Sequence, residues 1–137
     1  MHRETLEVAT RGRGFTEITG QVDKVVARSG LREGLCNVFI LHTSASLVIT
    51  ENADPDVLAD LETVISDLAP DGDSRYSHTA EGPDDMSAHV RCVLTQTSIT
   101  IPVDAGALCL GTWQGLFLWE HRARPHARKI VVSLVSG

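Results

Sequence analysis

The sequence predicts an α+β fold, a compact β-rich sandwich of mainly antiparallel strands with two or three helices packed on it. Short stretches in which apolar and polar residues alternate, typical of half-buried strands, dominate both ends of the chain. Helical patterns lie between them, and the order of the elements implies few strand–helix–strand crossovers. The length of 137 residues suits one domain, which we expect to span residues 1–137.

The first fifty residues predict three strands and one helix. Apolar and polar residues alternate over Thr5–Thr10, which indicates a half-buried strand. A helix is predicted over Thr19–Ser29, because its first residue is a threonine that can cap the start and Gly30 can end it in a left-handed turn. Two further strands are predicted over Leu35–Leu41 and Leu47–Thr50, separated by a polar turn.

The clearest helix begins at Asp54-Pro55-Asp56. Asp54 is a good N-cap, and Pro55 suits the first helical position because a missing N–H costs nothing there. The carboxylate of Asp56 complements the helix dipole, and Pro70 ends the helix. The apolar residues recur with the period of a single buried stripe: Val57, Leu58, Leu61, Val64, Ile65 and Leu68.

The second half predicts a loop, a helix and a return to strands. Asp71–Pro83 is polar, contains two glycines and predicts a loop, and a further helix runs from Pro83 to about Leu94. Asp104–Gly106 is a predicted turn between strands. The remaining strands are predicted over Ile99–Val103, Leu108–Leu110, Leu116–Glu120 and Lys129–Val135.

The composition excludes several classes of function. The chain has 12 basic and 18 acidic residues and a net charge of −6, which argues against non-specific nucleic-acid binding. No apolar run approaches the roughly 18–20 residues of a membrane span, and the polar start does not resemble a signal peptide. The three cysteines form no closely spaced pair, which is typical of reduced thiols, and we expect a cytoplasmic protein.

The charges are distributed unevenly. Eleven acidic residues and one basic residue lie between Glu51 and Asp85, whereas four basic residues and no acidic ones lie between Arg122 and Lys129. Such asymmetry often marks only a solvated face. The alternative is that the two segments build a site whose ligand or metal needs both signs of charge.

Three histidines are candidates for a metal site. His42 lies at a predicted strand end, His78 in the long loop and His89 in the helix that follows. Three imidazoles with an open fourth position suit a catalytic zinc ion. Their spacing is not diagnostic, since nothing resembles the HExxH pattern, and hydrogen-bonded structural histidines are the alternative.

The carboxylates near these histidines have two interpretations. Asp84 or Asp85 can cap the helix that contains His89. Two adjacent acids exceed what a cap needs. The second could orient a metal-bound histidine, hold Mg²⁺ beside a phosphate or act as a general base.

A glycine-bracketed loop, Gly111–Gly115, lies between two predicted strands. Its backbone N–H groups and the Thr112 hydroxyl could hold an anion, and Arg122 could add charge-assisted hydrogen bonds to a phosphate. The alternative is a hairpin turn with a packed Trp113. The sequence contains no P-loop, no dinucleotide-binding fingerprint, no nucleophile elbow and no CxxC pair.

Several motifs taken together resemble the YjbQ family, also called the secondary thiamine-phosphate synthase family, in the same order over essentially the whole chain. The segments that carry the resemblance are His42–Ser46 leading to Glu51–Val57, His78 with Glu81–His89, and Leu110–Gly115 with Glu120–Arg122. The resemblance implies a YjbQ-like sandwich, a homotrimer and a histidine cluster that binds a divalent metal, with zinc the usual suggestion.

The resemblance also implies a set of site residues. The metal ligands at matching positions are His42, His78 and His89. The catalytic candidates are Asp85, Glu51 and His121. The residues expected to bind a substrate anion on the other wall are Gly111, Thr112, Trp113, Gln114 and Arg122.

The activity linked to the family is a weak thiamine-phosphate synthesis. It joins a pyrimidine methyl diphosphate to a thiazole phosphate, so a phosphorylated small-molecule ligand is expected, and magnesium could assist the leaving diphosphate. Zinc on histidines would instead suit hydrolysis of a phosphorylated small molecule. The histidines are also compatible with a trimer that binds a metal or metabolite without catalysis, and with a protein that binds no metal.

Overall fold

Eight strands and three helices follow one another in a computed structural model that describes residues 1–137. The helices are α1 (Thr19–Ser29), α2 (Pro55–Leu68) and α3 (Asp85–Leu94). The strands are β1 (His2–Ala9), β2 (Gly14–Glu17), β3 (Gly34–Ile40), β4 (Ala45–Glu51), β5 (Ser98–Asp104), β6 (Ala107–Leu108), β7 (Gln114–Glu120) and β8 (Ala127–Ser136). The α+β class is confirmed.

The strands form two antiparallel sheets. One has five strands in the order β1-β8-β3-β5-β6, and the other has three in the order β2-β7-β4. Every strand pair is antiparallel, as the scarcity of crossovers predicts. In the smaller sheet Ala45 pairs with Glu120, and Glu51 pairs with Gln114. β4 and β7 therefore bring two separate groups of predicted site residues to opposite ends of this sheet.

A single cluster of 18 buried apolar residues forms the core and draws on both sheets and α1. Strand β5 shows the pattern clearly, since Ile99, Ile101 and Val103 are buried and the residues between them are exposed. At the same period, β3 buries Cys36, Val38 and Ile40. The alternation seen in the sequence is therefore the inward-facing side of these strands.

Helix α1 has the predicted bounds, but its N-terminus is not capped as predicted. Gly30 ends the helix with a φ of 72°, as expected. The predicted cap by Thr19 is wrong, because the residue before the helix, Ile18, occupies the cap position without a side-chain hydrogen bond. The Thr19 hydroxyl instead donates to Glu17 and accepts the N–H of Leu116. It therefore joins the helix to the smaller sheet.

Helix α2 begins as predicted but is less buried than its pattern indicates. The carboxylate of Asp54 accepts the N–H of Asp56 at 2.9 Å, which confirms the cap. Of the six apolar residues in the predicted stripe only Ile65 is buried, while Val64 and Leu68 are 57% and 63% exposed. The helix meets its neighbours partly through polar side chains, so apolar periodicity overestimates its burial.

None of the three helices is long and apolar enough to span a membrane. All three cysteines, Cys36, Cys92 and Cys109, are free thiols, with Cys36 buried and Cys109 exposed.

Candidate metal site

The start of α3 and the loop before it bring two histidines to one carboxylate. The Oδ2 atom of Asp85 lies 2.6 Å from Nε2 of His78 and 3.2 Å from Nε2 of His89. One ligand atom from each residue lies within 4.8 Å of the others. We call these three residues the acid–histidine cluster. Two imidazole nitrogens and a carboxylate oxygen are a donor set that a divalent transition metal accepts.

His89 faces a hydrogen-bond acceptor on each side of its ring. Its Nδ1 lies 3.0 Å from the carbonyl oxygen of Thr43, and its Nε2 faces Asp85. A neutral imidazole has only one N–H, so it cannot donate to both. If Nδ1 donates to Thr43, the lone pair of Nε2 points at a carboxylate oxygen. This arrangement needs a cation between the two atoms, either a second proton or a metal ion.

The second oxygen of Asp85 is held by Arg122, whose Nη1 donates to it at 2.8 Å. Asp85 is only 4% exposed. Burial raises the pKa of Asp85, but the hydrogen bond from His78 and the charges of His89 and Arg122 outweigh it and hold the pKa below its usual value. The carboxylate is therefore ionised and available as a ligand.

All three guanidinium nitrogens of Arg122 donate hydrogen bonds within the protein. Besides Asp85, it donates from Nε to Asp84 at 3.0 Å and from Nη2 to the carbonyl of Glu81 at 3.1 Å. Asp84 also accepts the N–H of Ala123 at 2.8 Å, and it makes no side-chain cap on α3. Burial acts to raise the pKa of Asp84, but the Ala123 N–H and Arg122 lower it to about 2. In this arrangement Arg122 binds carboxylates rather than a substrate anion.

His42 lies outside the acid–histidine cluster. Its Nε2 accepts the N–H of Lys129 at 2.8 Å, and its Nδ1 lies 3.4 Å from Nη1 of Arg128. Burial and then the charge of Arg128 lower the pKa of His42. The structure thus groups Asp85 rather than His42 with the other two predicted ligands. Ligation by all three histidines stays a prediction, and it would require His42 to release Lys129.

His121 is fully buried. Its Nε2 lies 2.8 Å from the Ser46 hydroxyl, and its Nδ1 has no hydrogen-bond partner. Burial, followed by the charge of Arg91, lowers the pKa of His121 to about 3, so the ring is neutral. A ring without solvent exposure cannot contact a substrate in this conformation. Its predicted catalytic role is therefore not supported by its position.

The predicted anion loop lies at the other end of β7. Arg122 follows the last residue of the strand, whereas Gly111–Gln114 leads into its first, and seven residues separate these ends by roughly 20 Å. The loop is a hydrogen-bonded turn in which Gln114 donates to the carbonyl of Gly111 at 3.0 Å and accepts its N–H at 2.8 Å. Trp113 is 62% exposed rather than packed.

Acidic side chains surround this loop. Glu51 pairs with Gln114 in the sheet and accepts the N–H groups of Ala53 and Asp54 at 3.1 and 2.7 Å. A Cβ atom on Gly115 would lie 3.0 Å from a carboxylate oxygen of Glu17. Glu51 therefore holds the backbone at the start of α2. The negative charges near the loop disfavour the binding of an anion there. Within one chain, these residues and the acid–histidine cluster do not form one site.

The feature that the sequence reasoning missed is the spacing of Asp85 and His89. Residues four apart lie on the same face of a helix, as the two histidines of HExxH do. The pair Asp85-x-x-x-His89 therefore offers two ligands from α3. His78, seven residues before Asp85, needs the loop conformation to reach them.

Two open grooves lie beside the cluster. One, of about 440 Å³, is lined by His89 together with His42 and Cys92. The other, of about 400 Å³, is lined by His78 and the loop residues around Tyr76. Small molecules can therefore reach His89 through the first groove and His78 through the second.

Comparison with known proteins identifies the family. Residues 4–137 match the model of the family described as UPF0047 protein YjbQ-like. The chain is 54% identical over 136 residues to the UPF0047 protein sll1880 of Synechocystis, covering 99% of this chain and 92% of that relative. It is 40% identical to the UPF0047 protein YjbQ of Salmonella typhimurium, covering 97% and 96%.

Solved structures of similar proteins support the same family. A conserved hypothetical protein of Thermus thermophilus superimposes with a TM-score of 0.87 at 34% identity, covering 96% of this chain and 99% of that one. A YjbQ/UPF0047 family protein of Clostridium acetobutylicum superimposes with a TM-score of 0.85 at 35% identity, covering 97% and 98%. The chain belongs to the YjbQ-like UPF0047 family.

Proposed function

We propose that this protein is a metal-dependent enzyme that acts on a phosphorylated small molecule, with the acid–histidine cluster as its metal site. The observation that carries the proposal is the position of His89 between the Thr43 carbonyl and Asp85. In a neutral ring whose Nδ1 donates to Thr43, a divalent ion between His89 and Asp85 turns an unfavourable contact of two lone pairs into coordination. The Thr43 carbonyl then fixes the ring with Nε2 as the ligand nitrogen.

The donor set favours zinc over magnesium. Zinc accepts imidazole nitrogen together with carboxylate oxygen, and two histidines with one acid leave a fourth position open, as catalytic sites require. Magnesium prefers oxygen ligands and keeps several waters, so it fits a diphosphate substrate better than this cluster. The grooves beside His78 and His89 give a substrate access to the open position.

One reaction suited to such a site is thiamine-phosphate formation, the activity of the synthases that the chain resembles. The thiazole nitrogen gives its electron pair to the methylene carbon of the pyrimidine, and the bond to diphosphate breaks with its electrons leaving on oxygen. A bound divalent ion supplies positive charge for this leaving group. Arg124, exposed two residues beyond Arg122, is the cation of this chain that we assign to the diphosphate.

Hydrolysis is the second candidate. Two histidines and one carboxylate form the ligand set of several zinc hydrolases, in which the fourth position holds the attacking water. The same cluster would then cleave a phosphorylated small molecule instead of joining two of them. The substrate requirement separates the two candidates, since hydrolysis needs one phosphorylated substrate and synthesis needs two.

We also propose that the chain assembles as a homotrimer. The outer face of the five-stranded sheet exposes apolar side chains of neighbouring strands: Leu35 at 49%, Phe39 at 41% and Val135 at 44%. A patch of this kind is typical of a protein–protein interface. A light-scattering mass near that of one chain, 14.8 kDa, would refute the assembly.

The test of the function combines metal binding and turnover. Metal-free protein is titrated with zinc, and pyrophosphate release from the pyrimidine diphosphate and thiazole phosphate pair is followed with and without the ion. We expect one zinc per chain and metal-dependent turnover, both lost in His89→Ala. His2→Ala, at a histidine paired with Glu4 near the N-terminus, serves as the matched control and should retain both.

Three results would contradict the proposal. Full turnover by metal-free His89→Ala protein would exclude the cluster as the metal-dependent centre. The absence of zinc binding by the native chain would exclude a zinc enzyme. A metal-loaded chain without turnover on either substrate type would instead favour a protein that binds a metal without catalysis.

A further inference from the structure

A fully buried carboxylate, Glu120, lies at the last position of β7 and makes no hydrogen bond to His78 or His89. Its Oε1 accepts the hydroxyl of Thr10 and Nε of Arg128, each at 2.8 Å. Its Oε2 accepts Nη2 of Arg128 and the backbone N–H of Arg122, the latter at 3.1 Å. Both oxygens are thus saturated by groups from three separate segments of the chain.

The partner of this carboxylate is also buried, since Arg128 is 4% exposed. Burial raises the pKa of Glu120, but Arg128, Thr10 and the Arg122 N–H outweigh it and hold the pKa below its usual value. The pair is therefore ionic. A buried ion pair is weak evidence for added stability, because desolvation of both charges offsets their attraction. Its geometry suggests a different use.

One chain of hydrogen bonds, which we call the first arm, runs from the ion pair to Asp85 of the acid–histidine cluster. Glu120 fixes the backbone N–H of Arg122, and the guanidinium of the same residue donates to Asp85 at 2.8 Å. Asp85 in turn contacts both histidines of the cluster. The position of Glu120 therefore sets where the side chain of Arg122 begins and how it reaches Asp85.

A second chain of contacts, the second arm, runs from the ion pair to His89 of the same cluster. Nη2 of Arg128 donates to the hydroxyl of Ser44 at 3.0 Å and to its carbonyl at 3.3 Å. The preceding residue, Thr43, supplies the carbonyl that faces Nδ1 of His89 at 3.0 Å. Arg128 therefore fixes the turn whose carbonyl orients the His89 ring.

We propose that the buried Glu120–Arg128 pair is a positioning pair for the acid–histidine cluster, acting on Asp85 through Arg122 and on His89 through the turn at Thr43–Ser44. The two arms start from one ion pair and meet again at the contact between Asp85 and His89. The pair thus sets both sides of the gap in which the proposed metal lies. This inference rests on the proposed metal site but has a readout that needs no metal.

The test uses two conservative variants, one at each member of the pair. Glu120→Gln removes the charge, and Arg128→Lys keeps the charge but loses the forked contact. We expect zinc affinity to fall by about 10-fold in each, the lower end of effects seen for residues that orient metal ligands. In metal-free protein at alkaline pH, imidazole nitrogen shifts should show His89 protonated at Nδ1 in the native chain and a mixture of tautomers in the variants.

The matched control is Glu62→Gln, which alters a different ion pair with a buried arginine, that of Arg91, and belongs to neither arm. It should change neither zinc affinity nor the His89 tautomer. If Glu120→Gln does not fold, Thr10→Val removes one hydrogen bond to the same carboxylate without leaving a charge unpaired, and it should shift both readouts in the same direction.

The outcomes separate the two proposals. Zinc affinity within two-fold of native and an unchanged His89 tautomer in the folded variants would overturn the positioning role. If the native chain binds no zinc, the proposed function fails, and the tautomer measurement alone then decides whether the pair positions His89. Equal losses in the variants and in Glu62→Gln would show a general loss of rigidity and would also overturn it.

Discussion

The two ends of β7 both carry residues predicted to form a site, but they differ in which hydrogen-bonding groups they leave available. At the loop end, Gly111–Gln114 closes on itself through backbone and side-chain hydrogen bonds, and Glu51 is used to shape the start of α2. At the cluster end, Asp85 faces two histidines and Arg122 at once. Only at the cluster end does a histidine ring, that of His89, face a hydrogen-bond acceptor on each side, so that a neutral ring leaves one acceptor facing another.

This difference shows why the chemistry of single residues does not define a site. Glycine N–H groups are free to bind an anion only if the loop does not use them, and a carboxylate is a ligand only if it is not a cap. At the cluster end the opposite charges of Asp85 and Arg122 have little solvent exposure, which strengthens their interaction. The loop end is exposed and acidic, and it satisfies its own hydrogen bonds.

The largest expected effect is a loss of zinc affinity, and it distinguishes the two ends of β7. Asp85→Asn removes the charged ligand, and we expect zinc affinity to fall by more than about 100-fold, since changes at residues that merely orient ligands already cost 10–100-fold. Glu51→Gln, the matched change at the loop end, should leave affinity within two-fold. Calorimetric titration measures both. Equal losses in the two variants would contradict the separation of the ends.

A second comparison concerns stability. Arg91 is 1% exposed and donates to Glu62 at 2.9 Å, so Glu62→Ala leaves a buried guanidinium without its acid and should lower the free energy of unfolding by about 3 kcal/mol. Asn52→Ala at the loop end removes only long hydrogen bonds of 3.4 Å and should cost about 0.5 kcal/mol. Denaturant titrations of both variants check the order.

The pH dependence of stability tests the burial of His121. Its pKa is lowered from 6.5 to about 3 in the folded chain, so the unfolded chain binds a proton that the folded chain does not. Stability is therefore full above about pH 6.5 and falls as the pH drops towards 3, by up to about 1.4 kcal/mol per pH unit from this group.

His121→Gln should flatten that slope where the free energy of unfolding is measured between about pH 6.5 and 5. A native slope that this variant leaves unchanged would show that the ring is protonated within the fold. The carboxylates with lowered pKa values, such as Asp84, act only at more acidic pH.

The smallest effect on turnover is expected at Glu51. Its side chain accepts two backbone N–H groups at the start of α2, so Glu51→Ala should lower the free energy of unfolding by about 0.5 kcal/mol. Turnover should stay at the native level, because the residue lies about 20 Å from the cluster. A loss of turnover in a folded variant would place Glu51 in the active centre, for example through a neighbouring subunit.

Much of the fold follows from local patterns in the sequence. Alternation predicts β5 with its buried residues, and the Asp54-Pro55 start predicts the cap of α2, because both depend on neighbours along the chain. The burial of α2 is overestimated, since periodicity identifies an apolar face but not what covers it. Val64 shows this, being apolar, in register and 57% exposed.

The candidate site is predicted less completely, because it depends on contacts distant in sequence. His78, His89 and Asp85 are each identifiable from the sequence, but their grouping requires a loop conformation that spacing does not specify. The sequence motifs group His42 with them, whereas in the fold it faces Lys129 across the sheet end. The placement of Gly111–Gln114 follows from the direction of β7, which separates two motifs that are close in sequence.

The central claim is that a metal ion binds between His89 and Asp85 at the cluster end of β7. A crystal structure of the zinc-soaked protein with anomalous data at the zinc edge tests it most directly. We expect one strong peak about 2.0–2.2 Å from Nε2 of His78, Nε2 of His89 and an oxygen of Asp85. A peak on His42 without Asp85, or no peak with the three residues still hydrogen-bonded to one another, would contradict it.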